Sequence, residues 1–199
     1  MGELILCSHP IAAMPYYIDN ISLNVYSLEE LCYYIENHLY LIEADFMSEE
    51  LCLWIGQELD EKDLAQSLRS VLLGNGSLSD FTELILRSCG YCSEDTIRHI
   101  RSVLLDMQNK SVFECSKIRA DRYMESEKYV KAIHEYRKLL GMEEECKKNP
   151  VLEGNIRHNL GTACAELFLF DEAAANFLNA YRLNRNRESL AACMAACRL

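Results

Sequence analysis

The sequence predicts a mainly α-helical protein with a small β-hairpin near its N-terminal end. Three observations carry this reading. The 199-residue chain holds only 8 Gly and 3 Pro, too few breakers for a turn-rich all-β fold. From Ser27 onward, apolar residues recur at helical spacing behind Ser-led capping signals. From about Ser111, a pattern of small and aromatic residues occurs twice. Half of the residues are hydrophobic, which argues against long disordered stretches.

Residues 1–26 form the β element of this reading. Leu4-Ile5-Leu6 is a short apolar run. Tyr16-Tyr17-Ile18 and Ile21 to Tyr26 flank Asp19-Asn20, and the second run alternates with period 2. Asp and Asn tolerate positive φ, so Asp19-Asn20 is expected to make the tight turn of a hairpin.

Residues 27–110 read as a bundle of about five amphipathic helices. Ser27-Leu28-Glu29-Glu30 has the form of a capping box, in which Ser accepts from the N3 amide and Glu reaches back to the cap. The helix behind it aligns Leu28, Leu31, Cys32 and Ile35. Ser48 opens a second helix with Leu51, Leu53, Trp54, Ile55 and Leu59. A third carries Leu64, Leu68, Val71 and Leu72 to the stop at Gly74-Asn75-Gly76. A fourth starts at Ser77 or Ser79 and runs through Phe81 and Ile85 to Gly90. Ser93 caps the fifth, which carries Ile97, Ile100 and Leu104. Tyr33, Tyr34, Tyr40 and Trp54 are expected in the core.

Charge separates the two halves. Residues 1–110 carry 18 Asp/Glu and 6 Lys/Arg, whereas residues 111–199 carry 13 and 14. The acidic half would repel phosphate backbones, so nucleic acid is not an expected partner. No apolar run approaches the ~18 residues that span a bilayer, so no membrane partner is expected either. The start of the chain has no positively charged n-region and is not expected to be a secretory signal.

The repeat lies in residues 111–199. Ala120 precedes Ala132 by twelve positions, and Gly161 precedes Ala173 by the same interval. Tyr129 and Phe170 stand three before those alanines; Tyr136 and Phe177 stand four after them. Leu160 and Ala180 complete the second copy. Small residues let two helices approach, and the aromatics fill the space around the contact. This pattern resembles the tetratricopeptide repeat, in which helix A and helix B form hairpins that stack into an α-α superhelix. The resemblance implies packing roles for Ala120, Tyr129, Ala132, Tyr136, Leu160, Gly161, Phe170, Ala173, Phe177 and Ala180. The first copy departs from the pattern, with Arg119 where Leu is usual. The copies are 41 residues apart against a family period of 34. Glu143 to Glu153 is expected to absorb the excess as an extended helix B or a loop. Arg187 to Leu199 reads as a third helix A, with Leu190, Ala191, Met194 and Ala195 against the second hairpin and Ala192, Cys193, Ala196 and Cys197 outward.

In the family, helix A lines the inner surface. The resemblance therefore implies a partner-binding face at Lys117, Asp121, Asn155, His158, Asn159 and Thr162. Relatives that grip C-terminal carboxylates use a Lys and Asn residues there. Lys117 and Asn159 match that arrangement, while Asp121 departs from it and would repel a carboxylate.

The ten cysteines are read as reduced thiols of a cytoplasmic protein, many of them small buried hydrophobes. Cys89-Gly90-Tyr91-Cys92 has redox spacing, but it sits between two helices rather than after a strand, so an interhelical turn with Gly90 as its cap is expected. A zinc site would need two further ligands, and neither a second CxxC nor a His-x-x-x-His occurs. Cys193 and Cys197, four apart on one helix, are expected to pack. No phosphate loop, GxSxG or HExxH is present. No catalytic residue, metal or cofactor is expected.

The expected function is a non-enzymatic interaction module, an adaptor or scaffold that holds a protein or peptide. Two alternatives stand beside it: a thiol–disulfide redox protein using Cys89 and Cys92, and the end of a longer solenoid or an oligomer contact through the C-terminal helix.

Overall fold

The structure, a computed structural model, describes residues 8–198. The run Leu4-Ile5-Leu6 lies outside the described residues, as does Cys7. The fold is mainly α with one small antiparallel hairpin. The chain divides into two compact units between Asn109 and Lys110.

The first unit begins with strands β1 (Tyr16–Ile18) and β2 (Leu23–Val25), paired as Tyr16 with Val25 and Ile18 with Leu23. The connection is the four-residue segment Asp19 to Ser22, not a two-residue turn, and its positive φ falls on Ser22. Asn20 is instead drawn to the helices. Its amide donates to the Tyr34 hydroxyl at 2.7 Å and to the Leu41 carbonyl at 2.8 Å.

The five expected helices follow as α1 (Leu28–Asn37), α2 (Glu49–Gln57), α3 (Lys62–Leu73), α4 (Leu78–Cys89) and α5 (Glu94–Gln108). Ser27, Ser48, Ser77 and Ser93 cap four of them by accepting a backbone N–H. The box at Ser27 is only half made, because Glu30 accepts from the Tyr26 N–H at 2.6 Å. The reciprocal box forms at Ser77 with Asp80. Two short 3-10 turns that periodicity did not indicate, Leu39–Leu41 and Ala44–Phe46, join α1 to α2. Leu31, Ile35, Leu51, Ile55, Phe81 and Ile85 are fully buried at the centre. Tyr34 and Trp54 are buried as expected, but Tyr33 and Leu53 are exposed because they fall on the opposite faces of α1 and α2.

The second unit contains α6 (Val112–Glu125), α7 (Tyr129–Gly141), α8 (Glu143–Lys148), α9 (Pro150–Glu166), α10 (Phe170–Asn184) and α11 (Arg187–Ala196). Helix α6 packs on α7, α9 on α10, and α7 and α9 pack together. The two hairpin turns have the same geometry 41 residues apart. Glu127 and Phe168 both adopt left-handed φ, at 58° and 60°. The next N–H closes each turn: Lys128 to the Tyr123 carbonyl at 2.8 Å, and Leu169 to the Cys164 carbonyl at 2.9 Å. These six-to-one bonds are the Schellman arrangement that ends α6 and α9.

The excess length is neither an extended α7 nor a loop. Met142 leaves helical ψ, α8 makes a separate six-residue helix, and Asn149 caps α9 with Pro150 in its first turn. Helix α11 presents a different face from the one expected. Ser189, Cys193 and Ala196 are buried, while Ala191, Met194, Ala195 and Cys197 are exposed. Small side chains at that spacing admit close packing on α10, and the Cys193 thiol donates to the Ala174 carbonyl at 3.4 Å. No helix among the described residues is long and apolar enough to cross a membrane.

Candidate partner-binding face

Close packing in the second unit sets the positions of its polar side chains. Gly161 on α9 lies under the Phe177 ring, and a Cβ there would stand 2.8 Å from two ring carbons. At Gly154, two turns earlier, a Cβ would stand 2.8 Å from the Asn184 Cβ and 3.1 Å from the Ala180 carbonyl oxygen. Ala120, Ala132, Ala173 and Ala180 have no exposed surface. Leu160, Tyr136 and Phe177 are buried beside them, whereas Tyr129 and Phe170, at the starts of α7 and α10, are half-buried.

This packing brings three of the expected face residues together. The Lys117 ammonium donates to Asp121 Oδ2 at 2.6 Å, one turn along α6. Asn159 on α9 reaches across, with its amide 3.3 Å from Asp121 Oδ1 and 3.3 Å from the Tyr136 hydroxyl. Tyr136 donates to Asp121 Oδ1 at 2.7 Å. Asp121 thus accepts from three side chains, Lys117 on α6, Tyr136 on α7 and Asn159 on α9. Burial, followed by the bond to Asp121, raises the Tyr136 phenol well above its ordinary pKa, so it remains a donor.

The other three residues direct their hydrogen bonds elsewhere. Asn155 is exposed and accepts from the Asn184 amide at 3.1 Å. His158 lies 3.0 Å from the Ser189 hydroxyl and against the Phe177 ring. Thr162 donates back to the His158 carbonyl at 3.2 Å.

Tyr136 has a polar role that its reading as a packing aromatic missed. The signal was present: the equivalent residue in the second copy is Phe177, and a buried Tyr needs a partner for its hydroxyl. Position 121 supplies that partner where the second copy has Thr162.

A different group of side chains gathers in the first unit. Cys89 is the last residue of α4, and Gly90 follows in the left-handed conformation, as expected for an interhelical turn. Cys92 is half-buried, and burial pushes its thiol up to about 11. Cys89 responds in the opposite direction, its pKa lowered first by a hydrogen bond from the Cys32 thiol. His9 and Glu29 lie beside Cys89. Glu29 Oε1 accepts from the Ser8 N–H at 2.6 Å and the His9 N–H at 3.1 Å, and lies 2.9 Å from His9 Nδ1. Burial alone would raise the Glu29 carboxyl, but these bonds together lower it to about 2. No spacing rule unites positions 9, 29, 32 and 89, so the group was not legible in the sequence.

No family model matches the chain, and comparisons with curated proteins and with solved structures give no match.

Proposed function

We propose that the second unit is a tetratricopeptide-like module and that the protein works as an adaptor or scaffold, holding a protein or peptide rather than transforming a substrate. The observation that carries this reading is the repetition of the hairpin turn at Glu127 and Phe168, each closed by the same backbone bond and each joining two packed helices. A hairpin of this kind cannot bury its apolar face alone, and stacking such units leaves a surface lined by successive first helices. Here that surface carries Lys117, Asp121 and Asn159.

The chemistry of these residues narrows the partner. The Lys117 charge is already neutralised by Asp121, so a free carboxylate would have to displace an existing ion pair. A polar polypeptide segment offering amide donors and acceptors fits better, because it can exchange hydrogen bonds with Lys117 and Asn159 while Tyr136 keeps Asp121 in place. The nine described cysteines are unpaired, which accords with a cytoplasmic setting.

The test is affinity capture with the full chain and a Lys117→Ala/Asn159→Ala variant. The expected result is a polypeptide retained by the wild type and lost by the variant, with both proteins showing the same helical circular dichroism. Equal retention by the two would reject this face.

A further inference from the structure

We propose that His9, Glu29 and Cys89 form a binding site for one zinc-class divalent cation. One ring nitrogen, one carboxylate oxygen and one sulfur from these residues all lie within 4.8 Å of one another. They come from three separate places in the first unit: the segment before β1, the first turn of α1 and the last turn of α4.

The surroundings fit a cation better than a plain ion pair. Glu29 is 2% exposed, and one of its oxygens is crowded by Ser8 and His9. Its other oxygen, Oε2, is buried and accepts no hydrogen bond. Buried polar atoms are nearly always satisfied, and a carboxylate oxygen left bare is costly. A cation coordinated through Oε2 would satisfy it. Cys89 is also buried.

The donor set selects the ion. Calcium and magnesium take oxygen ligands, whereas a nitrogen, an oxygen and a thiolate sulfur suit zinc. Tetrahedral zinc holds its ligands about 3.3–3.8 Å apart, given bonds of about 2.0–2.3 Å. The nitrogen, oxygen and sulfur already lie within 4.8 Å of one another, so side-chain rotation can bring them to this spacing. The Cys89 proton leaves to solvent on binding. The thiolate and the Glu29 carboxylate then balance the two positive charges, with neutral His9 as third ligand. His9 is the most exposed of the three, so the fourth position opens towards water on its side.

The experiment is equilibrium dialysis of the reduced, metal-stripped full chain against Zn2+, followed by X-ray absorption at the zinc edge. The expected result is one zinc per chain, with one sulfur and otherwise nitrogen or oxygen ligands. His9→Ala and Cys89→Ser should each weaken binding at least tenfold, while Cys164→Ser in the other unit should leave it unchanged. The absorption measurement needs no variant, so it decides even if Cys89→Ser fails to fold. No retained zinc, a shell of two or more sulfurs, or undiminished binding by folded His9→Ala and Cys89→Ser would overturn the site.

Discussion

The hydroxyl of Tyr136 donates to Asp121 at 2.7 Å, joining the second helix of the first hairpin to the polar face of its first helix. Tyr136 is 1% exposed. Asp121→Ala leaves that hydroxyl buried without its acceptor, and a loss of about 1–3 kcal/mol is expected in urea unfolding. Tyr136→Phe should cost less, about 1 kcal/mol, because Asp121 keeps Lys117 and Asn159. Equal costs, or none, would mean that the bond is absent in solution.

Gly161→Leu tests the hairpin contact. The new side chain would enter space held by the Phe177 ring, where even a Cβ stands at 2.8 Å. Overpacking of this kind costs about 1–3 kcal/mol, so thermal unfolding should move to lower temperature. An unchanged midpoint would contradict the packing of α9 on α10.

The pair Cys89 and Cys92 is expected to show no dithiol turnover in an insulin-reduction assay. Cys89 ends a helix and no strand directly precedes it, and burial pushes the Cys92 thiol up to about 11. Turnover by the wild type that disappears in Cys92→Ser would restore the redox reading.

Acid should weaken the contact between α4 and α5 through Glu83. Arg87 donates to this carboxylate at 2.8 Å, and Arg101 on α5 donates to its other oxygen. The bond from Arg87 is the first cause of its lowered pKa. A depressed carboxyl stabilises the fold above its ordinary value of 4.5, and that contribution is lost as pH falls through the lowered one. Glu83→Gln should cost about 0.5–1 kcal/mol at pH 7 and nothing in strong acid. A cost that does not change with pH would exclude the ionic contribution.

Local signals made most of the helices legible. Ser48, Ser77 and Ser93 stood directly before apolar stripes, and each caps the helix expected of it. Gly90 marked the end of α4 because only a left-handed residue fits there. The errors arose where tertiary contacts override local chemistry. Asn20 left the expected tight turn to bond Tyr34 and Leu41. The buried face of α11 was set by how closely Ser189, Cys193 and Ala196 fit their neighbours, although Leu190 and Met194 are the more hydrophobic choices. At the candidate face, spacing brought Lys117, Asp121 and Asn159 to attention but not Tyr136, whose ring serves the core and whose hydroxyl serves the face. Glu29 lay hidden because it occupies a position that usually favours a solvated first-turn acid.

The most direct test of the interaction role is photo-cross-linking in cell extract from a reactive residue replacing Lys117. Val130, which is 69% exposed on α7, serves as the control position. Tyr136 and Asn159 still hold Asp121 when Lys117 is replaced, so the fold should persist. A polypeptide adduct is expected from position 117 and none from position 130. No adduct from position 117, or equal adducts from both, would rule out the interaction role of this face.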